Sequence, residues 1–593
     1  MSGAWEEDLS PIGASDWTPE QARHLLNRAG FGGQPAEVER LAAMPPDKAA
    51  AWFIDFKSID NSHLPPFDHS GIYDPTLTPF PPTRPAATRL AEEKGSSMGI
   101  DAKPAGPRRL QPVADRFFFW LRGSMLETRR VANWWADRMV ATNRPLEEKL
   151  ALFWHGHFAS SEDKVRDYRK MLGQVTLFQD HAAGNFGTLL SAVARDPGML
   201  VFLDAGENLK SRPNENFGRE LMELFTMGVG NYTERDLREA ARAFTGWRDR
   251  DLSFHIDEAQ HDNGQKTFLG QTGPFGGQEV LDIILAQPAT SNFIAGKLYR
   301  FFVRDDLTPQ FQEQLGGLLR SENYEIAPFL ETVFLSRDFY SPSSVGTHIM
   351  GPVELIVSTY RRLGLSATPG MPDFNSTSTD LGQTLLNPPT VAGWSQGRAW
   401  ITPGSLLARG NFARAALMPD VIAFTDPNLE PYPAQLRTFS ARIRAGDDIA
   451  TASRIVDGAD SKQAQSSEAP KPQPGMATAN LLSDHEEFNT HYASLKGWEE
   501  AVRRVKPTPR GAAQFSLTTL VLEGGAHSSG DAVDCLITRF LSIPLDPGAR
   551  SAAVAFLEAQ LGTSDLDRAK TYLEEPLRET AHLIMSAPEY QLA

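Results

Sequence analysis

The chain has 593 residues, 41% hydrophobic and 22% charged, with a formal net charge of -16. That length allows two to four domains, or one large core with additions. An acidic surface repels nucleic acid and anionic lipid, and no run of about 18 apolar residues offers a membrane span. Cys535 is the only cysteine, so an internal disulfide and a thiolate metal site are excluded and any metal would need His, Asp or Glu ligands.

The N-terminus, "MSGAWEEDLSPIGASDW", has neither a basic segment nor an apolar segment of a cleavable signal, so the sequence as written predicts a cytoplasmic protein. Trimming of a longer chain would leave an exported one. Helical periodicity then dominates. "TPEQARHLLNRAGFG" starts with a Thr18 cap, Pro19 at the first helical position and Glu20 in the first turn. This falls in an N-terminal helical segment, residues 1–61. Residues 62–113 follow as a Pro/Gly/Ser-rich insert, too proline-rich for a packed helix and expected to lie over or beside a cleft.

Residues 114–443 read as a helical core that carries the polar motifs. "VADRFFFWLRGSMLETRRVANWWADRMVAT" predicts one or two long helices. "PLEEKLALFWHGHF" places Leu146, Leu150, Phe153, Trp154 and His157 on one stripe. If that helix continues through Gly156, His155 and His157 point about 200° apart and cannot chelate one ion; if Gly156 ends it, the two can converge. A satisfied core histidine is the bland alternative for His157.

"PNENFGRELMELF" places Asn214, Glu215, Asn216, Arg219, Glu220 and Glu223 within ten residues. Asn214 is the expected N-cap, with Glu215 in the first turn, where the helix dipole favours an anion. At about 100° per residue, Phe217, Leu221 and Leu224 form an apolar face, with Asn216 and Glu220 at its edge and Glu223 beyond. Glu215, Arg219 and Met222 fall opposite, and Glu215 can pair with Arg219. Glu220 is thus the acid expected to be part-buried, with the raised pKa of a general acid. The alternative is an ordinary capped helix with surface ion pairs.

"HIDEAQHDNGQKTFLG" adds His255, His261 and Asp262 in a loop after Trp247, with a short strand expected over residues 266–270. One of these histidines, one of the 155/157 pair and Glu220 are a conceivable His/carboxylate metal set, although no metal-binding motif of known spacing is present. "NPPTVAGWSQGRAWITPG" carries Asn387, Trp394, Arg398 and Trp400, aromatic and amide groups suited to sugars or to stapling helices together. Residues 444–480 read as a polar linker and 481–593 as a helical C-terminal unit. The fold class is therefore mainly α, a large multi-helix core with long irregular loops.

Seven stretches resemble the bacterial family known as domain of unknown function 1800: "HLLNRAGFG", "EKLALFWHGHFASS", "GNFGTLLSAVARDPGMLVFLD", "PNENFGRELMELFTMGVGNYTERDLREAARAFTGW", "HDNGQKTFLGQTG", "LGQTLLNPPTVAGWSQGRAWI" and the closing "APEYQLA". The resemblance implies export, from which the missing signal departs, and a phosphatase-like partner protein. It implies no settled activity. The motifs that carry it are polar, which points to a cleft rather than to packing alone. The expected function is acid/base hydrolysis of a carbohydrate-like small-molecule substrate. Glu220, Glu215 and His157 would be catalytic. Asn214, Asn216, Arg219, Trp247, His261, Asp262, Asn387 and Trp394 would bind substrate. A metal-dependent enzyme using the histidines and a non-catalytic binding or assembly protein are the alternatives.

Overall fold

The computed structural model describes residues 5–75, 111–419 and 494–593. The linker 444–480 and most of the proline-rich insert lie outside the described residues. The fold is mainly α, with two short β-hairpins. Among the described residues no helix is long and apolar enough to cross a membrane.

Helix α1 (Pro19–Arg28) begins as its sequence dictates: the Thr18 hydroxyl accepts the Glu20 N–H and Pro19 occupies the first turn. Helix α2 (Gln111–Ala141) is one unbroken span of about 46 Å. Residues 62–75 run beside it: Phe67 and Ile72 are buried, and the Trp134 indole donates to the Pro65 carbonyl. Helix α3 (Pro145–His157) is buried on every side, with only Gly156 partly open. Its charged residues therefore need internal partners. Glu148 accepts from Trp135, Gln179 and Arg138, and Lys149 pairs with Glu354.

Helix α4 (Tyr168–Asp180) packs on α3. Helix α5 (Asn216–Glu220) is short and continues as a π-helical turn, Leu221–Thr226. Helix α6 (Glu234–Ala243) opens with a reciprocal Thr233–Asp236 capping box. Strands β1 (Trp247–Arg250) and β2 (Ser253–Ile256) pair antiparallel, with Arg248 opposite His255. Strands β3 (Lys266–Phe268) and β4 (Gln271–Gly273) form the second hairpin, at the place expected for a strand. The first hairpin falls where a loop was expected.

Helix α7 (Pro288–Phe302) ends against α1, because Arg28 donates to the carbonyls of Phe302 and Val303. Helix α8 (Pro352–Arg362) is also buried all round, and its Arg361 donates to the Val140 carbonyl at the end of α2. Buried arginines on helix C-terminal carbonyls satisfy acceptors that have no helical donor. Helix α9 (Pro403–Leu417) and α10 (Leu495–Arg504) follow, α10 lying along α2. Helices α11 (Ser529–Phe540), α12 (Pro547–Leu561) and α13 (Glu574–Met585) pack on one another, with α13 against α9. Buried apolar side chains from Ile12 to Ala593 make one contiguous core.

Candidate functional site

Because α3 runs through Gly156, its two histidines face different neighbours. His155 Nε2 accepts the Leu386 N–H at 3.0 Å, and its ring lies edge-on to Trp394 at 5.1 Å. Burial pushes His155 down to about 3. His157 donates Nε2–H to the Phe225 carbonyl at 3.0 Å, which leaves Nδ1 as an acceptor 3.3 Å from Lys297 Nζ. Burial, then the Lys297 charge, hold His157 well below the usual imidazole range. Both rings are neutral core groups, with the nitrogens that would bind a metal engaged or enclosed. Among the described residues no group of three or more His, Cys, Asp or Glu side chains is arranged to hold a metal ion.

The same segment joins two of the sequence motifs. Gly393 has φ +82, and a side-chain carbon there would overlap the Gly156 carbonyl. Glycine is therefore required at that contact. Trp394 follows and reaches both His155 and Gly156. Asn387 ties the start of the loop down: Ser161 Oγ donates to its Oδ1, and its Nδ2 donates to Asp163.

On its other side α3 meets the carboxylate helix. The Leu224 and Phe225 carbonyls, in the last turn, receive Lys297 and His157. Asn214 Oδ1 accepts the Asn216 N–H, the bond expected of a cap, while Glu215, directly before the first helical residue, makes no side-chain cap bond. Asn216 donates to the Leu203 carbonyl. Arg219 reaches Glu215 at 3.4 Å and Glu234 at 3.7 Å, surface pairs worth roughly 0–1 kcal/mol. Glu220 is half-buried and has no hydrogen bond or ion pair among the described residues. Burial first, then Glu223, push its carboxyl upward against Arg219. Glu223 accepts from the Tyr232 hydroxyl at 3.0 Å.

The remaining predicted binders are structural. Trp247 is 2% exposed, edge-on to Phe244 and Phe254. His261 donates Nδ1–H to the Thr245 carbonyl at 2.8 Å. Asp262 takes Nε and Nη2 of Arg242 at 2.8 and 3.3 Å, and Arg242 holds its carboxyl below the usual range. These contacts staple the loop between the hairpins to the end of α6.

A pocket opens against α3 beside the Phe153 ring, which stacks on His157. It is lined by Phe153 and Gly156 of α3, Arg300 and Phe301 of α7, Asp305, His348, Glu354, and the 394–400 loop with Trp394 and Trp400. Its volume is about 40 Å³, room for a few water molecules, and it opens to solvent. Of the predicted site residues, Trp394 lines it; Glu220, Glu215, His157, His261 and Asn387 do not.

Sequence reasoning missed the pocket's titratable pair. His348 Nε2 lies 3.1 Å from Glu354 Oε2, which also accepts the Gly351 N–H at 2.7 Å. Lys149 Nζ forms a close ion pair with Glu354 Oε1. Burial alone would raise Glu354, but Lys149 and His348 outweigh it and hold the carboxyl well below its usual value. A charged Glu354 fixes His348 with its proton on Nε2. Nδ1 makes no hydrogen bond to a described residue. Burial, then Arg28, lower His348, so the ring is neutral near neutral pH. The sequence carried one signal for this pair. In "HIMGPVE", Pro352 marks a helix start and Glu354 the capping position behind it, two residues into a helix otherwise too apolar to expose a charge.

The family described as Protein of unknown function (DUF1800) matches residues 24–592, and the chain belongs to it. No curated protein and no solved structure matches.

Proposed function

We propose that the protein is a hydrolase acting on a carbohydrate-like substrate, with the recess bounded by Trp394 and Trp400 as the substrate site and His348 as its base. The observation that carries this is the orientation of His348 by Glu354 at the wall of the pocket. A carboxylate on Nε2–H fixes the tautomer and stabilises the imidazolium that forms when Nδ1 takes a proton from water. Arg300 supplies a cationic donor in the same pocket; with room inside for only a few waters, a sugar would sit at the mouth, against the surface that Trp394 and Trp400 leave exposed. Asp305 is the pocket's exposed carboxylate and its candidate acid.

A second centre is favoured by the Glu220 observation. An unpaired, half-buried carboxyl beside Glu223 is the environment that turns a glutamate into a general acid.

The test is hydrolysis of p-nitrophenyl glycosides and of acetylated oligosaccharides by the full chain. His348→Gln should lower turnover by roughly 10²-fold or more with little change in melting. Turnover unchanged in His348→Gln but lost in Glu220→Gln would move the reaction to the second centre. Oligosaccharide binding without turnover of either class would make this a binding protein.

A further inference from the structure

Lys297 lies on α7 one turn before Arg300, and among the described residues its ammonium group has no counter-ion. Nζ is 3.3 Å from His157 Nδ1, 3.4 Å from the Leu224 carbonyl and 4.9 Å from the centre of the Phe293 ring. His157 spends its proton on Phe225, so both polar neighbours of Nζ are uncharged acceptors. No Asp or Glu pairs with Lys297 among the described residues. A charge held there loses hydration without gaining an opposite charge, which favours the free amine. Burial, then Arg300, push Lys297 down to about 8.

Two other lysines also have lowered values, and the comparison isolates Lys297. Lys149 is 3% exposed and paired with Glu354. Lys266 is 1% exposed, its Nζ spent on the Asp262 and Gly264 carbonyls. Lys297 alone of the three keeps part of its surface open. A desolvated amine, held as the free base on a side chain that is not fully buried, is the form in which lysine acts as a nucleophile.

We propose that Lys297 is a covalent capture site for small aldehydes and ketones. The Nζ lone pair adds to the carbonyl carbon. The proton shed by nitrogen passes to the former carbonyl oxygen, giving a carbinolamine. Loss of that oxygen as water leaves an imine, with no change in oxidation state. The inference does not depend on the His348 pocket.

The experiment is reductive trapping on the full chain with limiting acetaldehyde and sodium cyanoborohydride, read residue by residue by peptide mass spectrometry. Near neutral pH, ethylation at Lys297 should exceed that at exposed Lys57 and Lys496 by roughly tenfold or more. Its rate should level off near pH 8, whereas surface lysines keep gaining reactivity toward about 10. Lys297→Arg should lose that label alone. Labelling of Lys57 and Lys496 at least equal to that of Lys297 in the unaltered protein would overturn the proposal, and this needs no variant to fold.

Discussion

The backbone nitrogen of Ala593 donates to the carbonyl oxygen of His348 at 2.9 Å. One rung away the Met350 N–H donates to the Gln591 carbonyl, also at 2.9 Å. The closing "APEYQLA" motif is therefore a strand-like brace behind the candidate base. Arg409 completes it, donating to Gln591 Oε1 at 2.9 Å and to the Met350 carbonyl at 2.8 Å. Gln591→Ala leaves a buried guanidinium short of an acceptor and should cost about 1–3 kcal/mol. Urea unfolding measures that loss. Because the brace holds residues 348–350, substrate affinity or turnover should fall as well. A destabilised variant with unchanged turnover would show that the brace does not position His348.

Glu162 gives a pH dependence with a defined sign. Ser124 Oγ donates to its Oε1 at 2.9 Å, and burial, despite Ser124 and Thr128, pushes the carboxyl up to about 8. The unfolded chain releases that proton near the ordinary glutamate value of about 4.3. The folded protein keeps it until about pH 8. Stability from this group is thus complete below about pH 4 and falls as pH rises toward 8, by about 1.4 kcal/mol per pKa unit at most. Glu162→Gln, a neutral isostere, should melt higher than the parent at pH 8 and equally at pH 4. Parallel melting curves across that range would mean the carboxyl is ionised in the fold.

How much of this was legible in the sequence depended on range. The Thr18 cap follows from local rules, and a helix through Gly156 opposes the two histidines; the choice between that helix and one ending at Gly156 comes only from the structure. The apolar projection of "NFGRELMELF" failed at Met222, placed on the face opposite the apolar one and found fully buried. From Leu221 the chain winds as a π-helix, so an angle of about 100° per residue no longer describes it. The hairpin Trp247–Ile256 was also missed, because its four-residue strands, with charges at Arg248, Asp249 and Arg250, show no alternation. The candidate pocket was the hardest to read. It gathers Phe153, Arg300, His348, Glu354 and Trp394, whose proximity no local pattern encodes. Only the Trp394 loop was singled out, through its Pro and Gly signals.

Glu220→Gln distinguishes a working acid from a structural anion. Among the described residues no cation is bonded to Glu220, so the amide strands none of them, and it relieves repulsion from Glu223. Where the carboxyl is ionised, stability should be unchanged or higher by a few tenths of a kcal/mol, the scale of a like-charge pair on a helix. A catalytic role would then appear as a turnover loss of roughly 10²-fold at equal melting temperature. A drop of several degrees in melting would instead reveal a partner that the carboxylate holds.

Glu354 and His348 should separate, although they touch. Glu354 is 5% exposed and shares its charge with Lys149, His348 and the Gly351 N–H. Glu354→Gln leaves the Lys149 ammonium buried without its anion, at a cost of about 3–5 kcal/mol. His348→Gln leaves the Lys149–Glu354 pair and the Gly351 bond in place, so its cost should stay near 1 kcal/mol, that of one hydrogen bond. The acid limb follows from the same contacts. Glu354 has a depressed folded value, so its contribution is present above about pH 4.3 and is lost as pH falls through the lower folded value. Chemical denaturation of both variants between pH 3 and 7 checks this. In Glu354→Gln the acid-side loss should be smaller than in the parent, since nothing remains to protonate. Equal destabilisation by the two substitutions would mean that His348 is as much a part of the buried ion pair as Lys149, and would remove the reason for treating its Nδ1 as a free base.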